Sequence, residues 1–177
     1  MKRSDLIDQI PGLRRYARAL TGDPWAADDL VQDTLERACR KWRLWSVGTD
    51  LRAWLFTLMH NLHVSDLRHA QRRAGTAPHM DLEDVSAELV APDRAQDLAL
   101  DLQRCLLRLP EEQRVVLLLV SLEGMSYDQV ARITDTPMGT LMSRLSRART
   151  RLHALLSATA TQTPPEAQAP SHLRRLK

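Results

Sequence analysis

The chain has 177 residues, of which 44% are hydrophobic, so it can form the core of one medium domain or two small ones and is not a largely disordered protein. Phe, Trp and Tyr make up only 4% of the residues, while Leu and Arg are abundant, and this composition favours helices over sheets. No apolar stretch approaches the roughly 20 residues of a membrane span, and the N-terminal residues lack the apolar segment of a signal peptide. We therefore expect an all-α, cytoplasmic protein.

The net charge of +3 is distributed unevenly along the chain. Residues 1–75 carry a net charge of +4, residues 76–97 carry −5, and residues 98–157 and 158–177 carry +2 each. Two basic segments on either side of an acidic one are typical of a protein whose two domains bind the same polyanion. We predict helical domains at 1–75 and 98–157, a flexible acidic linker at 76–97 with room for one helical turn at 84–89, and a disordered tail at 158–177.

The N-terminal domain begins with two amphipathic segments. Apolar residues recur at spacings of three and four over residues 6–20, a helix that Pro11 and Gly12 interrupt or restart. A long helix follows over residues 26–45, and its acidic first half and basic second half complement the helix dipole. The dipole explains the order of the charges, but the helix also carries a continuous acidic and amide face that is equally suited to docking a partner. This acidic face consists of Asp29, Gln32, Asp33 and Glu36.

The third helix of this domain, residues 50–73, changes character along its length. Leu and Trp side chains form a strong apolar stripe as far as Leu62, after which the helix ends in a polar, basic segment. His60 and His63 could in principle share a metal ion, but no third His, Cys or carboxylate stands at a spacing typical of a metal site. We therefore expect polar or base-contacting histidines and no metal.

Two helices open the C-terminal domain. The first, residues 98–109, stops before Pro110, and the second, residues 111–122, has Pro110 at its first position and the run VVLLLV at its centre. Because the second helix is apolar all round, we predict that it forms the buried centre of the domain. Cys39 and Cys105 lie on the apolar stripes of separate helices, which predicts buried thiols rather than a disulfide.

A helix-turn-helix pattern follows. Ser126 and Gln129 have the spacing of a capping box, so a short helix begins there. Thr136 and Pro137 are suited to be the N-cap and the first residue of a second helix. An ordinary surface helix could carry a similar charge, but the two-helix spacing and the one-sided charge favour a helix that reads DNA, with four Arg and no acidic residue over residues 139–157. The basic stripe consists of Arg144, Arg147 and Arg151.

Three stretches of the chain resemble the extracytoplasmic-function branch of bacterial sigma factors. LPEEQRVVLLLVSLEGMSYDQVARITDTPMGTLMSRLSRARTRL resembles region 4 of that family, ADDLVQDTLERACRKW resembles region 2.2, and GTDLRAWLFTLMHNLHVSDLRHAQRR is similar to regions 2.3 and 2.4. The resemblance covers all but the tail and implies two small helical domains joined by a linker. It also implies a protein that binds core RNA polymerase and directs it to promoters, region 2 melting the minus-10 element and region 4 reading the minus-35 element.

The resemblance also implies roles for individual residues. The acidic face would dock the largest polymerase subunit through Asp29, Gln32, Asp33 and Glu36. Together with the loop at 45–50, the basic end of the third helix would hold single-stranded minus-10 DNA through Asn61, His63, Arg68, His69, Arg72 and Arg73. The minus-35 contacts would be Thr140, Ser143, Arg144, Ser146 and Arg147.

The family comparison implies core RNA polymerase, double- and single-stranded promoter DNA and an anti-sigma factor as partners, and no cofactor. It also marks Asp135, at a position where Gly is frequent, as a residue that tolerates left-handed backbone angles. Two other functions stay open: a sigma-like mimic that acts as a decoy for an anti-sigma factor, and a helix-turn-helix regulator that acts without polymerase. An enzyme is the weakest interpretation, because no catalytic triad, carboxylate pair or phosphate-binding Gly loop occurs at a useful spacing.

Overall fold

The computed structural model describes residues 3–42, 50–74 and 94–162, and within these ranges the chain forms helices and no strands. The all-α prediction is confirmed. The loop at 45–50, apart from its last residue, most of the linker with its predicted turn at 84–89, and the tail beyond 162 lie outside the described residues. The helices are α1 Arg3–Ile7, α2 Ile10–Thr21, α3 Pro24–Lys41, α4 Leu51–Ala74, α5 Arg94–Leu107, α6 Glu111–Ser121, α7 Tyr127–Ile133 and α8 Met138–Gln162.

Helices α2, α3 and α4 form the N-terminal domain. Pro11 lies in the first turn of α2, so the predicted restart of the helix near this proline is confirmed. Asp23 begins α3 earlier than predicted, because its carboxylate accepts hydrogen bonds from the N–H groups of Trp25 at 2.7 Å and Ala26 at 3.4 Å. The centre of the domain is a buried aromatic pair, Tyr16 and Phe56, whose rings meet edge to face at 5.2 Å.

Helices α5 to α8 form the C-terminal domain around α6. The run from Val115 to Leu119 is buried, as predicted from its apolar composition. Leu141, Leu145 and Ala148, spaced by four and three along α8, are buried against this domain, which confirms the apolar stripe of the second helix of the helix-turn-helix.

The structure also corrects the predicted limits of two helices and the predicted burial of one cysteine. Helix α5 begins at Arg94, four residues before the predicted start at Leu98, and α8 continues to Gln162, so residues 158–162 are helical and do not belong to a disordered tail. The C-terminal end of α8 packs on α5, and there the Thr159 hydroxyl lies 3.8 Å from Cys105 Sγ. Cys105 is buried as predicted, but Cys39 is exposed because it lies about 100° round α3 from its buried neighbour Ala38.

The two domains pack directly against each other. Helix α2 lies against α5 and α6, and α4 lies against α7. Buried apolar side chains of both domains belong to one continuous cluster, which includes Leu13 and Leu55 of the first domain and Leu119 and Val130 of the second. The sequence predicted the two helical domains; their mutual packing is an additional finding of the structure.

Candidate polymerase and nucleic-acid interfaces

The helix-turn-helix has the local geometry that its sequence predicts. Ser126 Oγ accepts from the Gln129 N–H at 3.2 Å, and Gln129 Oε1 accepts from the Ser126 N–H at 2.8 Å, so the capping box is confirmed. Asp135 in the turn has φ of 47°, the left-handed conformation that Asp reaches more easily than most residues. The turn therefore needs no glycine.

Helix α8 begins one residue later than predicted, and Thr136 does not cap it. The Thr136 hydroxyl donates to the Thr134 carbonyl at 3.0 Å and accepts from Nη1 of Arg144 at 3.1 Å. The first backbone hydrogen bond of the helix runs from Leu141 N–H to the Pro137 carbonyl at 3.0 Å. The threonine hydroxyl therefore joins the turn to a side chain of the helix.

One side of α8 remains open to a ligand. Thr140, Ser146 and Arg147 are exposed and Ser143 is partly exposed, whereas the Arg144 side chain keeps only 25% of its exposure. Backbone N–H groups at a helix N-terminus, hydroxyls and a guanidinium favour phosphate and guanine. The structure thus brings the predicted minus-35 residues together on one side of the recognition helix, and Arg144 differs from the others because it is already bonded within the protein.

The acidic face lies on the exposed side of α3. Asp29, Gln32, Asp33 and Glu36 are all exposed, and Gln32 Nε2 donates to Glu36 Oε1 at 3.4 Å. The opposite side of the helix is buried, including Thr34, whose hydroxyl donates to the Leu30 carbonyl at 2.7 Å. Amphipathic packing therefore turns the whole acidic face toward solvent.

The predicted minus-10 residues at the basic end of α4 are exposed except for one. Five of the predicted minus-10 residues lie on the surface, but the His63 side chain is only 9% exposed and points at the C-terminal domain. Its Nε2 lies 2.5 Å from Oε1 of Glu111, at the start of α6. In this packed arrangement His63 is therefore a contact between the domains. The five surface residues are Asn61, Arg68, His69, Arg72 and Arg73.

Charge and burial around His63 shift the pKa values of its neighbours. Burial, and then the positive charge of His63, lowers the pKa of His60 from 6.5 to about 4. Burial alone would raise the pKa of Glu111, but the hydrogen bonds and positive charges of His63 and Arg114 outweigh it and lower the pKa overall. The boundary between the domains therefore favours a neutral His60 beside an ionised Glu111.

Sequence reasoning missed the residues that join the two domains. The Glu123 side chain is fully buried, and its carboxylate pairs with Arg15 of α2 at 3.0 Å and with Arg52 of α4 at 2.5 Å. Arg52 Nη2 also donates to the Glu123 backbone carbonyl at 2.8 Å. The only signal in the sequence is an isolated acidic residue after an apolar helix, which does not reveal its partners.

Among the residues that the structure describes, no group of three or more His, Cys, Asp or Glu side chains could hold a metal ion. Within the same ranges, each helix is too short or too polar to cross a membrane.

Both domains match known families. Residues 6–60 match the Sigma2 domain of PhyR, and residues 99–152 match Sigma-70, region 4. The chain is 38% identical over 155 residues to the ECF RNA polymerase sigma factor EcfG of Rhodopseudomonas palustris (strain TIE-1), which covers 87% of this chain and 84% of the relative.

Solved structures show the same arrangement of helices. The sigma factor RpoE in complex with the anti-sigma factor NepR, from Bartonella quintana, superposes with a TM-score of 0.76 at 34% identity, over 88% of this chain and 96% of RpoE. The anti-anti-sigma factor PhyR complexed with NepR, from the same organism, superposes with a TM-score of 0.56 at 18% identity, over 86% of this chain and 50% of PhyR. The likeness to PhyR is one of fold alone.

Proposed function

The chain belongs to the extracytoplasmic-function sigma factors of RNA polymerase, and from this premise we propose which of its surfaces carries each step of transcription initiation. A sigma factor binds core polymerase and directs it to promoters, with region 2 at the minus-10 element and region 4 at the minus-35 element. The observation that carries the assignment is that α8 is polar and exposed on one side. Its opposite side is buried through Leu141, Leu145 and Ala148.

Helix α8 reads the minus-35 element in the major groove. Its N-terminal hydroxyls contact the phosphates, and the exposed Arg147 contacts a base edge or a phosphate. Met142 is 44% exposed on the same helix and offers an apolar contact where many members of the family carry Lys or Arg. The residues proposed to contact DNA directly are Thr140, Ser143, Ser146 and Arg147. Arg144 belongs to the same side of the helix but is bonded within the domain.

The acidic face of α3 docks core polymerase. Its members are exposed together on one side of a helix whose other side is fixed in the core, so a partner meets a rigid surface. Exposed carboxylates attract a basic surface and raise the rate of association. The residues proposed for this contact are Asp29, Gln32, Asp33 and Glu36.

The basic end of α4 holds the separated minus-10 strand. Cations along a groove follow the phosphate backbone of single-stranded DNA, and polar side chains receive an unstacked base. The residues proposed are Asn61, His63, Arg68, His69, Arg72 and Arg73. Five are exposed in the packed arrangement, and His63 becomes available only when its contact with Glu111 breaks.

Promoter binding requires the two domains to separate. The promoter elements are roughly 25 base pairs apart, which is about 80 Å on B-DNA. Two small domains of about 30 Å each cannot span that distance while they touch, and here Asp50 Oδ2 and Gln129 Nε2 lie 2.5 Å apart across the boundary. The packed arrangement is therefore the state away from the promoter. A linker at 76–93 that extends would let the helical domains on its two sides reach both elements.

An anti-sigma factor controls this opening. The relative RpoE was solved in complex with the anti-sigma factor NepR, and it shares this fold over most of both chains. By analogy, a partner that binds both domains at once would bind the packed state more tightly than the separated state and would therefore stabilise the packed state. A protein that meets polymerase and DNA in this way acts in the cytoplasm.

A second candidate is a decoy that binds an anti-sigma factor without initiating transcription. The match of residues 6–60 to the Sigma2 domain of PhyR favours it, because PhyR is an anti-anti-sigma factor. A decoy needs no DNA contact, whereas here Arg147 and Arg151 both stand exposed on α8. Run-off transcription distinguishes the two: the purified chain with core polymerase should give specific transcripts from a genomic promoter library, and a decoy should give none.

A further inference from the structure

Arg144 has both terminal nitrogens of its guanidinium bonded inside the C-terminal domain. Nη1 donates to Thr136 Oγ1 at 3.1 Å in the turn before α8, and Nη2 pairs with Oε2 of Glu112 on α6 at 2.6 Å. These three residues form what we call the Arg144 bridge. It ties the recognition helix to the turn at its start and to the central helix of the domain.

Arg147, one turn further along α8, has a different environment. Its side chain is exposed and makes no hydrogen bond or ion pair with any residue that the structure describes. The guanidinium of Arg147 can therefore reach DNA at no internal cost, whereas Arg144 would have to leave two partners. Arg144 and Arg147, two of the three arginines of the predicted basic stripe, are therefore placed for different roles.

We propose that Arg144 is a positioning residue and not a reader of bases. The Arg144 bridge sets the angle at which α8 leaves the domain, and this angle decides whether Thr140 and Arg147 reach their contacts on the minus-35 element together. A helix in the major groove contacts bases with only a few side chains near its N-terminus, so a small rotation changes which bases they meet. This inference rests on the proposed role of α8 in minus-35 binding.

The charge of Glu112 supports the same role. Its side chain is 69% exposed and, with Arg144 and Arg147, lines a shallow pocket beside the N-terminal end of α8. An unpaired carboxylate there would repel DNA phosphates. Pairing with Arg144 cancels this charge on the DNA side of the domain. The planar fork of Arg reaches two acceptors at once, which the single ammonium of Lys does not reproduce.

The experiment uses the full chain with core polymerase on a promoter identified by sequencing RNA after overexpression. Fluorescence anisotropy measures binding to DNA with the matched minus-35 element and with a scrambled one. The variants are Glu112→Gln, Arg144→Lys and the two combined, together with Arg147→Ala alone and Arg147→Ala combined with Glu112→Gln. Thermal unfolding of each variant establishes that the fold is retained.

We expect Glu112→Gln and Arg144→Lys each to reduce the matched-to-scrambled affinity ratio by about five- to tenfold, the size of one charge-assisted hydrogen bond at a partly exposed site. The combined variant should lose no more than either alone, because both changes break one bridge. Arg147→Ala should cost less in the Glu112→Gln variant than in the unsubstituted chain, because the bridge positions Arg147. Tighter binding by Glu112→Gln, or an unchanged ratio for Arg144→Lys, would overturn the positioning role. No polymerase-dependent promoter binding by the unsubstituted chain would instead refute the proposed function.

Discussion

The carboxylate of Glu123 and the guanidinium of Arg52 meet at 2.5 Å across the boundary between the two domains, although 71 positions separate them in the sequence. The Glu123 side chain is fully buried, while that of Arg52 keeps 38% of its exposure. A buried carboxylate destabilises the folded state unless it is paired and hydrogen-bonded. Arg15 provides a second charged partner for the same Glu123 carboxylate. Packing of the domains therefore depends on a polar contact as well as on apolar burial.

Glu123→Gln should loosen the packing of the domains. The substitution keeps the size of the side chain but removes the charge that both arginines share. Because the arginines are partly exposed and can be hydrated, we expect the free energy of unfolding to fall by only about 1–3 kcal/mol, measured by urea denaturation. We also expect a larger radius of gyration in small-angle scattering. Glu36→Gln, which removes a surface pair, should change stability by less than about 0.5 kcal/mol. An unchanged radius and urea midpoint for Glu123→Gln would contradict this.

The stability of the packed state should fall as the pH drops from about 6.5 to about 4. The pKa of His60 is lowered to about 4, so protonation favours the unfolded chain, and the stability that neutral His60 contributes is complete above about pH 6.5. The lowered pKa of Glu111 adds a second loss only at more acid pH, below its ordinary value of 4.5. Between pH 7 and pH 5 the histidine should therefore dominate.

Urea denaturation at pH 7 and pH 5 tests the histidine directly. His60→Gln cannot titrate, so its free energy of unfolding should change less between the two pH values than that of the unsubstituted chain. His69→Gln, at an exposed position on the same helix, should keep the original pH dependence. Equal pH dependence for the unsubstituted chain and His60→Gln would show that the fold does not lower the pKa of His60.

Arg147→Ala should weaken minus-35 binding by about 1–3 kcal/mol and change the preferred base at one position, if the guanidinium reads a base edge. An equal loss on all sequences would indicate a phosphate contact. Arg149→Ala is the control, because Arg149 is exposed on the same helix but lies about 200° round it from Arg147. Binding of each variant with core polymerase to a set of minus-35 substitutions gives both the affinity and the preference.

Asp33→Arg should reduce binding to core polymerase and leave the fold intact. Asp33 is exposed in the middle of the acidic face, so reversing its charge repels a basic docking surface without disturbing the core. Asp8→Arg makes the same change of charge at an exposed residue outside that face. Native helicity with an unchanged affinity for core polymerase in Asp33→Arg would remove this face from the docking site.

Local chemistry determined much of what could be predicted from the sequence. The capping box of Ser126 and Gln129, the restart near Pro11 and the buried run at the centre of α6 all depend on residues within one or two turns of each other. Helix periodicity also places the acidic face of α3 opposite the buried side of the helix.

Only the tertiary structure decided which charged side chains meet across the chain. His63 and Glu111 are 48 positions apart, and Arg15 and Glu123 are 108 apart, and no periodic pattern relates them. The same holds for Arg144, which the sequence places in a stripe with Arg147 but the fold bonds to Glu112. Hydrophobic spacing specifies which side of a helix is buried, whereas the partner of a polar side chain depends on how whole helices pack, and that is set by the sum of many distant contacts.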